Sequence, residues 1–160
     1  MKKSRTSFFD HFSESSDEQG AGFTLIELII VVAMIATLAA IAIPLYLTYI
    51  EKAKIAKACA DIRIIEKEVL ALEDLPDSLA GVDRDGFPDP WGRPYQYANH
   101  DLITPGARRK YKSTVPLNTD FDLYSMGPDG DSMPPITAKP SFDDIIRAGD
   151  GQYVGPASEY

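Results

Sequence analysis

An α+β fold is what this sequence predicts: a long N-terminal α-helix, transmembrane in its N-terminal half, packed on a small antiparallel β-sheet head. Three observations carry that reading. Leu28 to Ile50 contains no charge, the stretch from Glu51 to about Glu73 is amphipathic at helical spacing, and the chain beyond Leu75 is cut by Pro and Gly into short alternating segments. At 160 residues and 44% hydrophobic content there is room for one folded domain. A formal charge of −8 argues against a duplex-binding surface, because phosphate contact relies on Lys and Arg, and no nucleic-acid partner is expected. The basic cluster Arg108, Arg109, Lys110 and Lys112 reads as a solvated loop. A single cysteine, Cys59, rules out an intrachain disulfide and reads as buried and inert.

The first element is the apolar helix and what precedes it. Residues Met1 to Gly22 carry Lys2, Lys3 and Arg5 against Asp10, Glu14, Asp17 and Glu18. With no apolar run, they do not form a Sec-type signal peptide. The uncharged run that follows exceeds the roughly 20 residues needed to cross a bilayer core. Glu27 stands at its edge, where a carboxylate in hydrocarbon costs about 2.5–3.5 kcal/mol and needs a partner. A cut between Gly22 and Phe23 would create one, an α-amino group with a reference pKa of about 7.7–8.0, offered by a neighbouring subunit. The alternative is a carboxylate placed at a helix N-terminus, where the macrodipole favours it.

The stretch Gly22-Phe23-Thr24-Leu25-Ile26-Glu27, followed by an uncharged helix, resembles the N-terminal cleavage and methylation motif of type IV pilin-like proteins. The resemblance implies leader cleavage after Gly22 by a prepilin peptidase, N-methylation of Phe23, and Glu27 as the residue that sets subunit register in a homopolymer. The chain then divides into a leader peptide (1–22), a transmembrane and polymerisation helix (23–50), an amphipathic helix (51–74) and a globular β-rich head (75–160).

The second element is the helix beyond the membrane. Ala56, Cys59, Ile62, Ile65, Val69 and Leu72 recur at helical spacing, while Glu51, Lys52, Lys54, Lys57, Arg63, Lys67 and Glu68 take the other faces. One helix from about Phe23 to about Glu73 is expected, with its stripe docked on the head. Pro44 marks a break, since it has no N–H to offer the carbonyl of Ala40. A simple kink and an unwinding of the Ala40–Pro44 turn during extraction from the bilayer are both consistent with it.

The third element is the head. Leu75-Pro76-Asp77, Asp85-Gly86-Phe87-Pro88 and Asp89-Pro90-Trp91-Gly92-Arg93-Pro94 are turns. Tyr95-Gln96-Tyr97 and Phe121 to Met126 alternate as strands whose aromatics cover the helix stripe, and Trp91 reads as a core plug. From Asn118 to Asp150 the chain has no Glu, and Asp129, Asp131, Asp143 and Asp144 follow turn signals. Carboxylates folded together repel unless a cation neutralises them, and hard oxygen ligands suit calcium. An EF-hand is excluded, because the twelfth position counted from Asp129 is Pro140.

Asp89 to Tyr97, with Asp122-Leu123-Tyr124-Ser125-Met126-Gly127 and Asp129-Gly130, resembles the major pseudopilin of type II secretion, the general secretion pathway protein G family. That resemblance implies a calcium-binding loop after the second strand. Carried onto this chain, Asp129 matches the first ligand, Met126 a carbonyl ligand, and Asp143 or Asp144 the second carboxylate, with Asp131 in the same loop. It also implies an inner-membrane, single-pass subunit with a periplasmic head. The implied partners are other pseudopilins, an inner-membrane assembly platform and a cytoplasmic ATPase. The segment Pro105 to Thr119 and the tail to Tyr160 depart from a shorter pseudopilin head.

No enzyme is expected: His100, in a polar loop, pairs with no nucleophile in a recognisable order, and no phosphate-binding Gly-rich loop is present. The function read from the sequence is a structural subunit of a type II secretion pseudopilus. The alternatives are a type IV pilin of a surface fibre serving adhesion, motility or DNA uptake, and an unpolymerised single-span calcium-binding protein.

Overall fold

The structure is a computed structural model that describes residues 22–160. The expected leader, apart from Gly22, lies outside the described residues. The chain forms two compact units, the first ending at Ala42 and the second running Ile43–Tyr160.

Helix α1 spans Leu25–Leu70. Its apolar part stays exposed, with Leu38 at 69% and Ile41 at 72%, and it is long and apolar enough to cross a membrane. Pro44 lies inside α1 and does not end it, so the helix runs on through the turn where a kink or loosening is expected. One missing N–H removes one hydrogen bond of the ladder, and the turns on either side hold. The Pro44 carbonyl even takes an additional donor, the Thr48 hydroxyl at 3.1 Å.

In the second unit the buried stripe of α1 is Ala58, Ile62, Ile65 and Val69, with Ile55 and Cys59 partly buried beside it. Two members of the expected stripe are displaced: Ala56 and Leu72 are exposed. Leu72 falls beyond Leu70, where the helix ends, and Ala58, not Ala56, precedes Ile62 by one full turn. Glu66 is buried on this same face, which the charge pattern did not suggest.

The stripe packs on a four-stranded antiparallel sheet of order β1-β2-β3-β4, formed by Gln96–Asn99, Phe121–Ser125, Ile145–Ala148 and Tyr153–Pro156. Register places Gln96 opposite Tyr124, Tyr124 opposite Ile146, and Ile146 opposite Gly155. Because strand side chains alternate between faces, Phe121, Leu123 and Ile145 meet the helix together with Leu79 and Tyr95. Tyr124, Ile146 and Ala148 face a second cluster with Leu117, Ile136 and Ala157. Each fully buried Ile or Leu in these clusters contributes about 1.5–3 kcal/mol. Trp91 is half-buried against the helix-side core and donates its indole N–H to Glu51 Oε1 at 3.0 Å.

Two sequence readings are corrected by this second core. Arg109 is not in a solvated loop: it is buried, stacks over the Tyr124 ring at 4.1 Å and pairs with Asp144. His100 is likewise buried, at 2% exposure, with its Nε2 lying 3.1 Å from Asp122 Oδ2 but out of line for a hydrogen bond. The segment from Pro105 to Thr119 therefore belongs to the core, through Arg109, Leu117 and Asn118.

Candidate functional site

In the first unit, Gly22 and Phe23 precede the helix without secondary structure, and Phe23 is 89% exposed. Thr24 is the residue before α1 and Glu27 the third within it. The Glu27 Oε2 accepts from the Thr24 N–H at 2.9 Å and from the Thr24 hydroxyl at 2.7 Å, while the Glu27 N–H donates to Thr24 Oγ1 at 3.3 Å. This is a reciprocal capping box, which satisfies orphan donors at a helix start. The single chain thus has a use for Glu27 as a local cap, and an amine from another subunit would meet a carboxylate whose direction is already set.

In the second unit, the aspartate loop follows β2 directly. Gly127 has φ +63, a left-handed conformation that costs glycine nothing. A Cβ there would overlap the Asp143 carbonyl, so the chain entering β3 is pressed against this loop. The Met126 carbonyl accepts from the Gly130 N–H at 3.2 Å and Asp129 Oδ1 accepts from the Asp131 N–H at 2.9 Å. Asp143 Oδ2 accepts from the Asp129 N–H at 3.1 Å. The structure therefore brings Met126, Asp129, Asp131 and Asp143 into one loop cluster. Oxygen is the only donor type they offer, the set a hard cation such as calcium takes when waters complete the shell.

Asp144 belongs elsewhere. It is fully buried, its Oδ2 takes Arg109 Nη2 at 2.5 Å and the Ser132 hydroxyl at 2.7 Å, and its Oδ1 has no hydrogen-bond partner. Burial raises its carboxyl above the usual carboxylate range, against the lowering effect of Arg109 and Ser132. Neighbours in sequence, Asp143 and Asp144 serve different places, as alternation on entry to a strand requires. Among the described residues, no group of three or more His, Cys, Asp or Glu side chains is positioned to hold a metal. Backbone carbonyls and water would have to supply the larger part of any calcium shell.

Sequence reasoning missed the support beneath the loop. Asp89 is buried; its Oδ1 accepts from the N–H groups of Trp91 at 3.0 Å and Arg93 at 2.9 Å, and its Oδ2 accepts from the Ser125 hydroxyl at 2.5 Å. Ser125 Oγ in turn accepts from the Gly127 N–H at 3.1 Å. Asp89 thus ties the turn before β1 to the loop after β2. The available signal was an Asp opening a Pro-Trp-Gly turn, the residue type whose side chain bonds the backbone two residues on.

A membrane-length apolar helix that continues as the backing of an antiparallel sheet, with a capped Thr-Glu start, defines a pilin-like subunit. No family model matches the chain, and no solved structure matches it. Among curated proteins, it is 31% identical over 137 residues to the type II secretion system core protein G of Pseudomonas aeruginosa, covering 70% of this chain and 86% of that protein. The core protein G of Escherichia coli is 28% identical over 142 residues, covering 73% and 87%. That of Aeromonas hydrophila is 30% identical over 137 residues, covering 70% and 85%. The chain belongs to the type II secretion system core protein G family.

Proposed function

We propose that this chain is a structural subunit of a type II secretion pseudopilus, assembled from the inner membrane into a periplasmic filament that aids export of folded proteins. The observation that carries the reading is an apolar helix whose side chains stay exposed, in a chain whose relatives are secretion core proteins. Lipid covers such a surface before assembly, and copies of the same helix cover it afterwards. Cleavage after Gly22 by a prepilin peptidase leaves the helix on the mature protein, with Phe23 as the N-methylated terminus. Glu27, held in direction by Thr24, then pairs with the terminal amine of an adjacent subunit and fixes register. Other pseudopilins, an inner-membrane assembly platform and a cytoplasmic ATPase are the partners this role requires. The role is structural, not catalytic.

The loop after β2 takes calcium in this reading. Carboxylates drawn from Asp129, Asp131 and Asp143 would hold the ion with the Met126 carbonyl, further backbone carbonyls and water completing the shell, and its charge would offset carboxylate repulsion. Titration calorimetry checks it: absence of calcium binding, with no rise in melting temperature at millimolar calcium, removes the metal from the account.

For the main proposal, cells overproducing the chain are sheared and examined, and the deletion strain is assayed for exoprotein release. Fibres that appear only on overproduction, with release blocked in the deletion, are expected. Long native surface fibres with normal release would overturn the pseudopilus reading in favour of a surface pilus. The extracted protein should begin at Phe23 by mass and N-terminal sequencing.

A further inference from the structure

The aspartate loop already contains a cation of its own. Arg93 donates Nη1 to the Gly127 carbonyl at 2.7 Å and Nη2 to the Pro128 carbonyl at 3.2 Å. A guanidinium presents donors in a rigid planar fork, so two carbonyls of one turn are gripped together. Gly130 lies against it so closely that a Cβ at that position would overlap the Arg93 guanidinium. With φ +78, Gly130 is also where the backbone turns left-handed, and that conformation is what favours glycine here.

The arginine is itself held from below. Its N–H donates to Asp89 Oδ1, its carbonyl accepts from the Asp89 N–H at 2.6 Å, and the other oxygen of Asp89 reaches the same loop through Ser125 and Gly127. Asp89 is 4% exposed, so its carboxylate is spent on this turn and is not open to solvent. The guanidinium occupies the Gly127 and Pro128 carbonyls, which leaves the Met126 carbonyl and the carboxylates of Asp129, Asp131 and Asp143 for a metal.

We infer that Arg93 is the positioning residue of the loop Met126–Asp131, an internal cation that keeps it in its bonded conformation whether or not a metal is present. The inference deepens the calcium reading above, and rests on it only for the second part of the test. If the internal cation and a bound calcium do the same electrostatic work, removing the first increases the dependence on the second. Removing Arg93 also frees the Gly127 and Pro128 carbonyls, which are oxygen donors of the type calcium accepts.

The full chain in detergent or nanodiscs tests this, as wild type, Arg93→Met and Arg93→Lys, in chelator and in millimolar calcium chloride. The reporters are amide exchange at Gly130 and Asp131, whose N–H groups bond inside the loop, and the melting temperature. Hydrogen bonds to a charged group are stronger than neutral ones, and their loss is felt locally. In chelator, exchange at these two amides should therefore quicken roughly tenfold or more in Arg93→Met, while wild type stays protected. Arg93→Lys, a point charge without the fork, should fall between them. Calcium should then restore loop protection in Arg93→Met and change loop exchange in wild type less, while raising the melting temperature of both. If calcium acts on neither protein, the internal-cation role stands and the metal reading falls. The inference is overturned if wild type loses loop protection in chelator as fully as Arg93→Met. It is overturned equally if Arg93→Met exchanges like wild type there.

Discussion

Arg147 is the side chain on which the buried charge of the second unit converges. At 1% exposure it donates Nε to Glu66 at 2.8 Å, Nη1 and Nη2 to Asp120 at 2.7 and 2.8 Å, and lies over the Phe121 ring. Glu66 also takes Arg63, whose guanidinium reaches the Gly151 carbonyl. Removing one partner of a buried pair leaves the other uncompensated, at about 3–5 kcal/mol, whereas replacing both with apolar residues is often close to neutral. Arg147→Met should therefore destabilise the chain by about that amount in denaturant melts, and Arg147→Met combined with Glu66→Leu and Asp120→Asn by clearly less. Asp120 carries the pH dependence of the network. Burial pushes its carboxyl up, but the hydrogen bonds from Arg147 and its own backbone environment outweigh that and leave it below the usual range. A depressed carboxylate adds stability above its unfolded pKa of about 3.9 and loses it as pH falls through the folded value. Stability should thus drop below about pH 4, and Asp120→Asn should make that acid limb shallower.

The helix was the easiest element to read, because its signals are local: an uncharged run, then a period near 3.6. Strands β1 and β2 were legible for a similar reason, apolar and polar residue types alternating in Tyr95-Gln96-Tyr97 and Phe121-Asp122-Leu123. Strand β3 was not. Ile145-Ile146-Arg147-Ala148 is buried at every position, so it shows no alternation, and its one charge reads as solvent-facing until Glu66 and Asp120 are seen beside it. The same blindness applied to Arg109, which only Asp144 and Tyr124 make intelligible. At the aspartate loop, composition drew attention to the aspartates and the family resemblance to Met126, while Asp89 and Arg93 were hidden because their roles depend on tertiary neighbours. Pro44 is also a local signal, and α1 continues through it. Its cost should show in dynamics: proline is about 3 kcal/mol worse than alanine inside a helix. Pro44→Ala should accordingly slow amide exchange around Ile41 to Thr48 in nanodiscs, and faster exchange there would contradict a ladder weakened at Pro44.

For the molecule as a whole, the sheet of the second unit is stable because both of its faces are covered, and the end of the chain joins Leu117 and Ile136 in covering the second face. Strand β4 pairs with all of β3, from Ile145 opposite Pro156 to Ala148 opposite Tyr153. Ala157 enters the second cluster and its N–H donates to the Asp144 carbonyl at 2.8 Å. Tyr160 packs its ring against Tyr111 and Tyr153, each at 5.1 Å between centroids. The tail therefore closes an edge of the sheet and shields the Arg109–Asp144 pair, and it is not an appendage to a shorter head. Deleting residues 152–160 would leave β3 paired only with β2 and open the edge it shared with β4. The full chain so truncated should lose cooperative melting and be cut by protease within the segment from Pro105 to Thr119, which leans on the same cluster. Tyr160→Ala removes only the outer aromatic contact, worth about 0.5–1.5 kcal/mol beyond its buried area, and should keep a cooperative transition at slightly lower temperature. A truncated chain that melted like the intact one would mean that the helix-side core alone holds the sheet, and the second core would then have to be assigned to something other than stability.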